Sequence, residues 1–433
     1  MVAHDTMGRS LADWLRWQES LSPHEIDLGL DRIRQVAERL PLVVPTGAAK
    51  GGPSGGVFTV AGTNGKGSTA SFLERLFAAN DRRVGLYTSP HLVRYNERIR
   101  LNGEDVQDRR LVEAFETIEA VRQDVPLTFF EFGTLAALTL FSQESCDVWI
   151  LEVGLGGRLD AVNMIDPDFS LITTVAFDHQ DWLGETLEEI AAEKAGILRP
   201  NRPGFYGDTA PPEAVVTRAA ELGTTLHCLG REYAFEAAAS GWSWRGRQVV
   251  LDGLPLPRVA DAAQLRNASL ALAATEACDP ALLTPGAVAA ALGGPLPAGR
   301  FQVVGRAPQW VLDVAHNPQA ASVLAGRLDQ LGAHGATTAV IGMLADKQVE
   351  PFIQALAGRV NRWIVAKVDD RRAADGAALA ATIGHMTGQQ ATFMDEPNAA
   401  FERAVELTPA SGRILCCGSF RIVGPALQWL GLY

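Results

Sequence analysis

"VAGTNGKGST", Val60–Thr69, decides how the rest of this chain is read. A β-branched apolar run (57–61) leads into it, and a segment with helical patterning (68–79) follows. A glycine-rich turn between a strand and a helix aims backbone N–H groups and the positive helix end at an anion. The usual phosphate-binding loop puts four residues between its first glycine and the Gly-Lys pair. Here only Thr63 and Asn64 separate Gly62 from Gly65-Lys66, and Gly67 stands between Lys66 and Ser68. Lys66 can supply charge to terminal phosphates, and Ser68 or Thr69 can hydrogen-bond a phosphate or ligate Mg2+. A plain turn with a solvated lysine is the alternative, and G-x-x-G-K-G-S-T after a strand makes it the poorer one.

Working outward, apolar runs alternate with helical segments. Strands are expected at 83–89, 147–153 and 169–177, with helices at 107–122 and 130–143. The strands are apolar almost throughout, as in a parallel sheet covered on both faces. Residues 11–40 read as helical, with a Ser22-Pro23 start signal and apolar residues at helical spacing from Ile26 to Leu40. The Gly- and Pro-rich stretch 45–56 reads as a mobile loop. After "GGPLPAGRF" (293–301) a second alternation begins, with strands expected at 310–315, 337–344, 362–368 and 413–419. The expected fold is therefore α/β: a P-loop-type doubly wound N-terminal ATPase domain, 1–297, and a smaller Rossmann-like α/β C-terminal domain, 298–433.

Composition narrows the function. The chain has 433 residues and a net charge of −12, which argues against a broad nucleic-acid surface. Five cysteines (146, 228, 278, 416 and 417) form no C-x-x-C pair, which fits reduced thiols and a cytoplasmic protein. No signal core or membrane-length apolar run is found.

Ligands of doubly wound sheets bind beyond the C-terminal strand ends. Polar residues gather there: Ser89 in "TSPH", Glu152 before "GLGGRLDA", and Asp178, His179 and Asp181 in "FDHQDW". Oxygen donors suit a hard cation beside phosphates; His179 is the weaker metal ligand by residue type. Lys194, in "EEIAAEKAGIL", reads from its pattern alone as a helix-surface lysine. In the second domain Asp313 and His316 ("DVAHNP") lie at a strand end and Arg300 at the inter-domain hinge, where a cation can close over a triphosphate. Ser419 in "CCGSF" is a further polar candidate, while its cysteines read as buried strand residues.

In order along the chain, "VAGTNGKGST", "YTSPHLVRYNERIRLNG", "FFEFGTLAAL", "LEVGLGGRLDAVN", "DHQDWLG", "EKAGI", "GRFQVV", "LDVAHNP", "GMLADK" and "CCGSF" closely resemble the bacterial bifunctional dihydrofolate synthase/folylpolyglutamate synthase family, related to the Mur ligases. That superfamily carries the short form of the glycine loop. The resemblance implies ATP-dependent addition of L-glutamate to 7,8-dihydropteroate and to tetrahydrofolates, through an acyl phosphate. It implies that Thr63, Asn64, Gly65, Lys66, Gly67 and Ser68 hold phosphates, and that Asn267, Arg300 and Asp313 contact ATP. His316 falls in the same motif. Ser89, Glu152 and His179 would ligate Mg2+, with two ions expected. Lys194 matches a position where the family carbamylates lysine, which reverses its surface reading. Asp27, Leu28, Gly29, Leu30, Thr128, Phe129, Phe130, Glu131, Leu159, Asp160 and Ala161 match the dihydropteroate site. Small-molecule partners only, and a monomer, are expected. A ligase acting on tetrahydrofolates alone is opposed by "DLGL". A peptidoglycan-precursor ligase would bring a separate N-terminal UDP-binding domain, for which a loop starting at residue 62 leaves no space. A nonenzymatic ATP-binding switch would bind nucleotide without glutamate-dependent ADP release.

Overall fold

A computed structural model describes residues 8–22, 26–46, 55–332 and 335–433. Pro23 and most of the 45–56 stretch lie outside these residues, so neither the Ser22-Pro23 start signal nor the mobile-loop reading can be followed into the structure. The chain forms two compact units. One takes the segment ending at Ser89, Asn96–Val175 and Leu187–Pro295. The other takes Pro90–Tyr95, Ala176–Thr186 and Leu296–Tyr433.

In the first unit, β1 (Gly56–Ala61), β2 (Val84–Tyr87), β3 (Ile99–Leu101), β4 (Glu104–Asp105), β5 (Val148–Glu152), β6 (Phe169–Ile172), β7 (Pro203–Tyr206) and β8 (Thr225–Cys228) form one sheet. Its order is β4-β3-β2-β5-β1-β6-β7-β8. All neighbours are parallel except the β2–β3 and β3–β4 pairs. Strand β1 is buried at every position because it lies between β5 and β6, under helices on both faces. Phe58 stacks on Phe169 at 4.5 Å and meets Phe77 of the following helix at 5.1 Å. Val60 pairs with Glu152 and Ala61 with Ile172, which fixes the C-terminal end of β1, where the glycine loop leaves. An antiparallel trio, β9 (Ala234–Ala238), β10 (Gly241–Arg245) and β11 (Val250–Leu254), is a separate sheet. Its period-2 burial of Trp242 and Trp244 is a strand signal overlooked in the sequence.

The second unit holds β12 (Gln302–Val304), β13 (Gln309–Leu312), β14 (Thr337–Ile341), β15 (Arg362–Ala366), β16 (Ala391–Met394) and β17 (Arg413–Cys417), in the order β12-β13-β17-β14-β15-β16. All pairs are parallel except β12–β13. Cys416 and Cys417 are fully buried in β17, as read. Leu92 and Val93 pack on this unit's core, and Gly424 lets the Leu92 carbonyl approach: a Cβ there would lie 2.1 Å from that oxygen.

The stretch read as helical over 11–40 is two helices, Leu11–Leu21 and Asp31–Ala37. Between them the described residues 26–29 are not helical. The Ile26–Leu40 apolar spacing bridges this break because local periodicity does not register it. Arg32 holds the segment instead, binding the Asp27 carboxylate at 2.8 Å and its carbonyl at 2.6 Å.

Candidate functional site

The loop after β1 takes its shape from backbone freedom and close packing. Gly62 has φ +144°, and a Cβ there would fall 1.8 Å from Thr173 Oγ1. Gly65 has φ +90°, and its Cβ would fall 2.4 Å from Asn267 Oδ1. Only glycine meets both demands. Residues after β6 brace the loop: Thr63 N–H donates to the Thr174 carbonyl (2.8 Å), and Thr173 Oγ donates to the Asn64 carbonyl (2.6 Å). The helix Lys66–Ala78 starts directly, with Gly65 as its left-handed N-cap. Lys66 Nζ donates to the Gly62 carbonyl at 2.8 Å, so its charge stays at the loop. Asn267, 8% exposed, reaches Gly65 from a helix (Ala262–Cys278) some 200 residues further on in the chain.

Glu152, at the end of β5, is buried. Its Oε2 accepts the Ser89 N–H at 3.2 Å, and a Cβ at Gly67 would lie 3.6 Å from the same oxygen. Two proposed metal ligands and the first turn of the loop helix thus meet. Ser68 and Thr69 are buried in that turn, and Thr69 Oγ1 is enclosed without a hydrogen-bond partner among the described residues. These are hard oxygen donors, a set that fits Mg2+. Lys194 is 3% exposed, which overturns its reading as a helix-surface residue. The helix Leu187–Ala195 packs so closely on Gly157 that a Cβ there would touch the Lys194 Cα at 3.2 Å.

A second group in this unit gathers the segments matched to dihydropteroate binding. Thr128 caps the helix Phe129–Gln143, and Glu131 closes the capping box by accepting the Thr128 N–H at 2.7 Å. Arg32 then bridges Asp27 and Glu131, reaching the latter at 3.3 Å. Burial pushes the Glu131 carboxyl up, against the Thr128 N–H and the Arg32 charge. Phe130 lies over Gly154, where a Cβ would come within 2.7 Å of its ring, and Arg98 faces the Phe129 ring at 5.6 Å. Asp160 accepts N–H groups from Gly154, Leu155 and Val162 and caps the short 3-10 turn Ala161–Met164. Burial nonetheless pushes its carboxyl up to about 7. Leu28, Leu30 and Leu159 are half-buried, and Gly29 has open space around it. Arg32 was missed in the sequence because the 11–40 stretch reads as an unbroken helix surface.

The remaining candidates belong to the second unit. His179, left-handed at φ 51°, has its Nδ1 3.4 Å from Asp346 and its Nε2 3.2 Å from Lys347 Nζ. Burial keeps its ring pKa below the ordinary value. Asp178 is the hub: it receives Lys347 Nζ at 2.7 Å and Asn317 Nδ2 at 3.0 Å, and His316 Nε2 lies 3.2 Å away. Burial opposes its ionisation. The His316 hydrogen bond and the charges of His316, His179 and Lys347 outweigh burial and hold the carboxyl well below the usual range. Asp346 and Lys347 come from "GMLADK", a motif quoted without a role in the sequence. Asp313 is engaged with its own unit, accepting the Phe301 and Ala315 N–H groups and pairing with Arg327 at 3.6 Å. It thereby fixes the backbone beside half-buried Arg300. Ser419, 2% exposed, caps the helix Phe420–Trp429. Among the described residues, no three His, Cys, Asp or Glu side chains stand together as a ready metal cage.

A largely parallel sheet with a glycine loop braced at an inner strand, followed by a second α/β unit, is the architecture of a Mur-type ligase. The Mur ligase middle domain matches residues 60–206, and the Mur ligase glutamate ligase domain matches residues 299–420. The chain is 40% identical to the dihydrofolate synthase/folylpolyglutamate synthase of Escherichia coli K12, over 96% of this chain and 95% of that protein. It is 37% identical to the Haemophilus influenzae protein of the same name, over 95% and 96%. Among solved structures, E. coli FolC in complex with DHPP and ADP superposes with a TM-score of 0.88 at 38% identity, covering 98% of both chains. A bifunctional folylpolyglutamate synthase/dihydrofolate synthase with Mn, AMPPNP and L-glutamate bound superposes with a TM-score of 0.87 at 39% identity, again over 98% of each. The chain belongs to the dihydrofolate synthase/folylpolyglutamate synthase family.

Proposed function

We propose that this protein is an ATP-dependent amide ligase that adds L-glutamate to 7,8-dihydropteroate, forming dihydrofolate, and to tetrahydrofolates, forming polyglutamates. The observation that carries the reading is the meeting of Gly67, Glu152 and Ser89 at the first turn of the loop helix. The substrate carboxylate attacks the γ-phosphorus of ATP, forming a C–O–P bond and releasing ADP. The amine of glutamate then attacks the acyl carbon, the amide forms, and phosphate leaves as the amine gives up its proton. Lys66, the loop N–H groups and Ser68 bind the phosphates, with Asn267, Arg300 and Asp313 contacting ATP and His316 assigned with Asp313 by their shared motif. Two anions must approach each other, and Lys66, Arg300 and the loop N–H groups offset their repulsion in place. Ser89, Glu152 and His179 would hold Mg2+, which when bound screens charge between the carboxylate and the triphosphate. A second ion, with Lys194 carbamylated to an anion, completes the reading.

The dihydropteroate group is assigned to Asp27–Leu30, Thr128–Glu131 and Leu159–Ala161. Residues 1–297 are assigned to ATP and folate binding and 298–433 to the glutamate-ligase-type domain, in a cytoplasmic monomer. The test is ADP release with ATP, Mg2+ and L-glutamate, run separately with 7,8-dihydropteroate and with a tetrahydrofolate, the products identified by mass. Turnover with both is expected. Turnover with tetrahydrofolate alone would remove the dihydropteroate assignment, and none with either would remove the ligase reading.

A further inference from the structure

Far from the glycine loop, the first unit contains a cavity of about 290 Å3 bounded by β7 and β8, the turn between β10 and β11, and the helix Ala262–Cys278. Its lining residues Pro203 and Thr225 begin β7 and β8, whereas the glycine loop follows the end of β1 in the same parallel array. The two sites therefore lie toward opposite strand ends.

The cavity is built from groups the ligase reaction does not use. Glu276, 5% exposed, accepts the N–H groups of Arg247 (2.9 Å), Gln248 (2.8 Å) and Val249 (2.7 Å). A Cβ at Gly246 would lie 2.5 Å from both Glu276 oxygens, so glycine there lets the carboxylate seat the turn. The clamp holds Arg247 at the rim, exposed and with no ion pair among the described residues. His227 also lines the cavity, 6% exposed and stacked on Phe205 with centroids 5.0 Å apart. Its ring nitrogens have no hydrogen-bond partner among the described residues. The other charged groups are engaged. Glu232 accepts the Cys228 N–H at 2.7 Å and pairs with Arg231, and Arg202 is held by Asp168 at 2.8 Å. The Glu232 and Glu276 carboxylates accept backbone N–H groups, while the Arg247 and His227 side chains have no hydrogen-bond partner among the described residues. An oxyanion in the cavity can take a charged hydrogen bond from the guanidinium and a second from the imidazole.

We propose that this cavity binds a small oxyanion, a carboxylate or phosphate group on a compact organic body, with Arg247 supplying the charge and His227 the buried hydrogen bond. Burial keeps the His227 pKa below its ordinary value, so an anion beside the ring must move it up.

The test is NMR of the full chain with 13C-labelled histidine, titrated with inorganic phosphate and separately with benzoate. His227→Gln identifies the resonance by deleting it. The expected result is a saturable shift of that resonance with its pKa raised. Arg247→Ala should weaken binding roughly tenfold by removing the charged partner, while glutamate ligation stays at the wild-type rate. Saturation by phosphate alone would assign a phosphate ester, and by benzoate alone a carboxylate. No saturation with either up to about 10 mM, or saturation that Arg247→Ala leaves unchanged, overturns the proposal.

Discussion

Removing Arg32 tests whether the break in the N-terminal helical stretch serves substrate recognition. Arg32 joins Asp27, through its carboxylate and carbonyl, to Glu131 in the capping box of the helix Phe129–Gln143. In Arg32→Ala the segment loses its anchor, and Glu131, 2% exposed, keeps its Thr128 N–H but loses its countercharge. An unpaired buried charge costs about 3–5 kcal/mol, but Arg32 is itself a quarter exposed, and solvent screening reduces the expected loss to about 1–2 kcal/mol. That corresponds to a Tm lowered by a few degrees. If about 1.4 kcal/mol of segment ordering must instead be supplied on binding, KM for dihydropteroate rises about tenfold. The kcat and the KM for ATP should change little, since Arg32 touches neither the glycine loop nor Glu152.

The pH dependence has a fixed sign. Glu131 has a raised pKa in the fold, and losing Arg32 raises it further. Between its unfolded and folded pKa values the unfolded chain is ionised and the folded one is not, so stability falls as pH rises through that window and then levels. The Tm gap between wild type and Arg32→Ala should therefore be wider at pH 8 than near pH 4. Initial rates with each substrate, and melting curves at the two pH values, measure all of this. An unchanged KM for dihydropteroate, or an equal rise in KM for ATP, would refute the reasoning.

Lys66→Ala should nearly abolish ADP release while leaving the circular dichroism unchanged, because Nζ donates to the Gly62 and Thr63 carbonyls of the loop and carries the charge for phosphate; near-wild-type turnover would discard the loop assignment. Gly65→Ala forces a left-handed residue, costing about 1–3 kcal/mol, and drives a methyl into Asn267. Nucleotide affinity should fall by at least about tenfold, read by calorimetry, and partial rescue by Asn267→Ala would identify the clash as the cause. Asp178→Asn should lower the melting temperature at pH 7. The wild-type carboxyl is held well below its unfolded pKa, so its contribution is present above about pH 4 and drains away as pH falls below it. The gap to the variant should shrink at pH 3, and an equal gap at both pH values would show that charge at Asp178 is not what matters.

Much of the architecture follows from local physics. Apolar runs that do not alternate can be buried only in a sheet covered on both faces, so 57–61, 148–152 and 337–341 announced parallel strands before any contact was known. The short glycine loop was equally legible, because positive φ at Gly62 and Gly65 admits few residue types. The antiparallel trio, the four-residue β7 and the edge strands β8, β12 and β16 were not read, since short strands resemble loops in composition.

The site divides in the same way. Residue types and strand-end positions in the sequence singled out Lys66, Glu152 and Asp313. Partnerships across long chain separations were invisible there. Nothing local announces that Asn267 packs on Gly65, that Arg32 ties Asp27 to Glu131, or that Lys347 and His316 meet on Asp178. Lys194 shows the limit most directly: its helical pattern reads as surface, yet it is 3% exposed in a helix packed against Gly157. Periodicity reports which residues share a face of one element. Which element covers that face is set by the tertiary fold, and with it the dielectric, the hydrogen-bond partners and the charge state that chemistry requires.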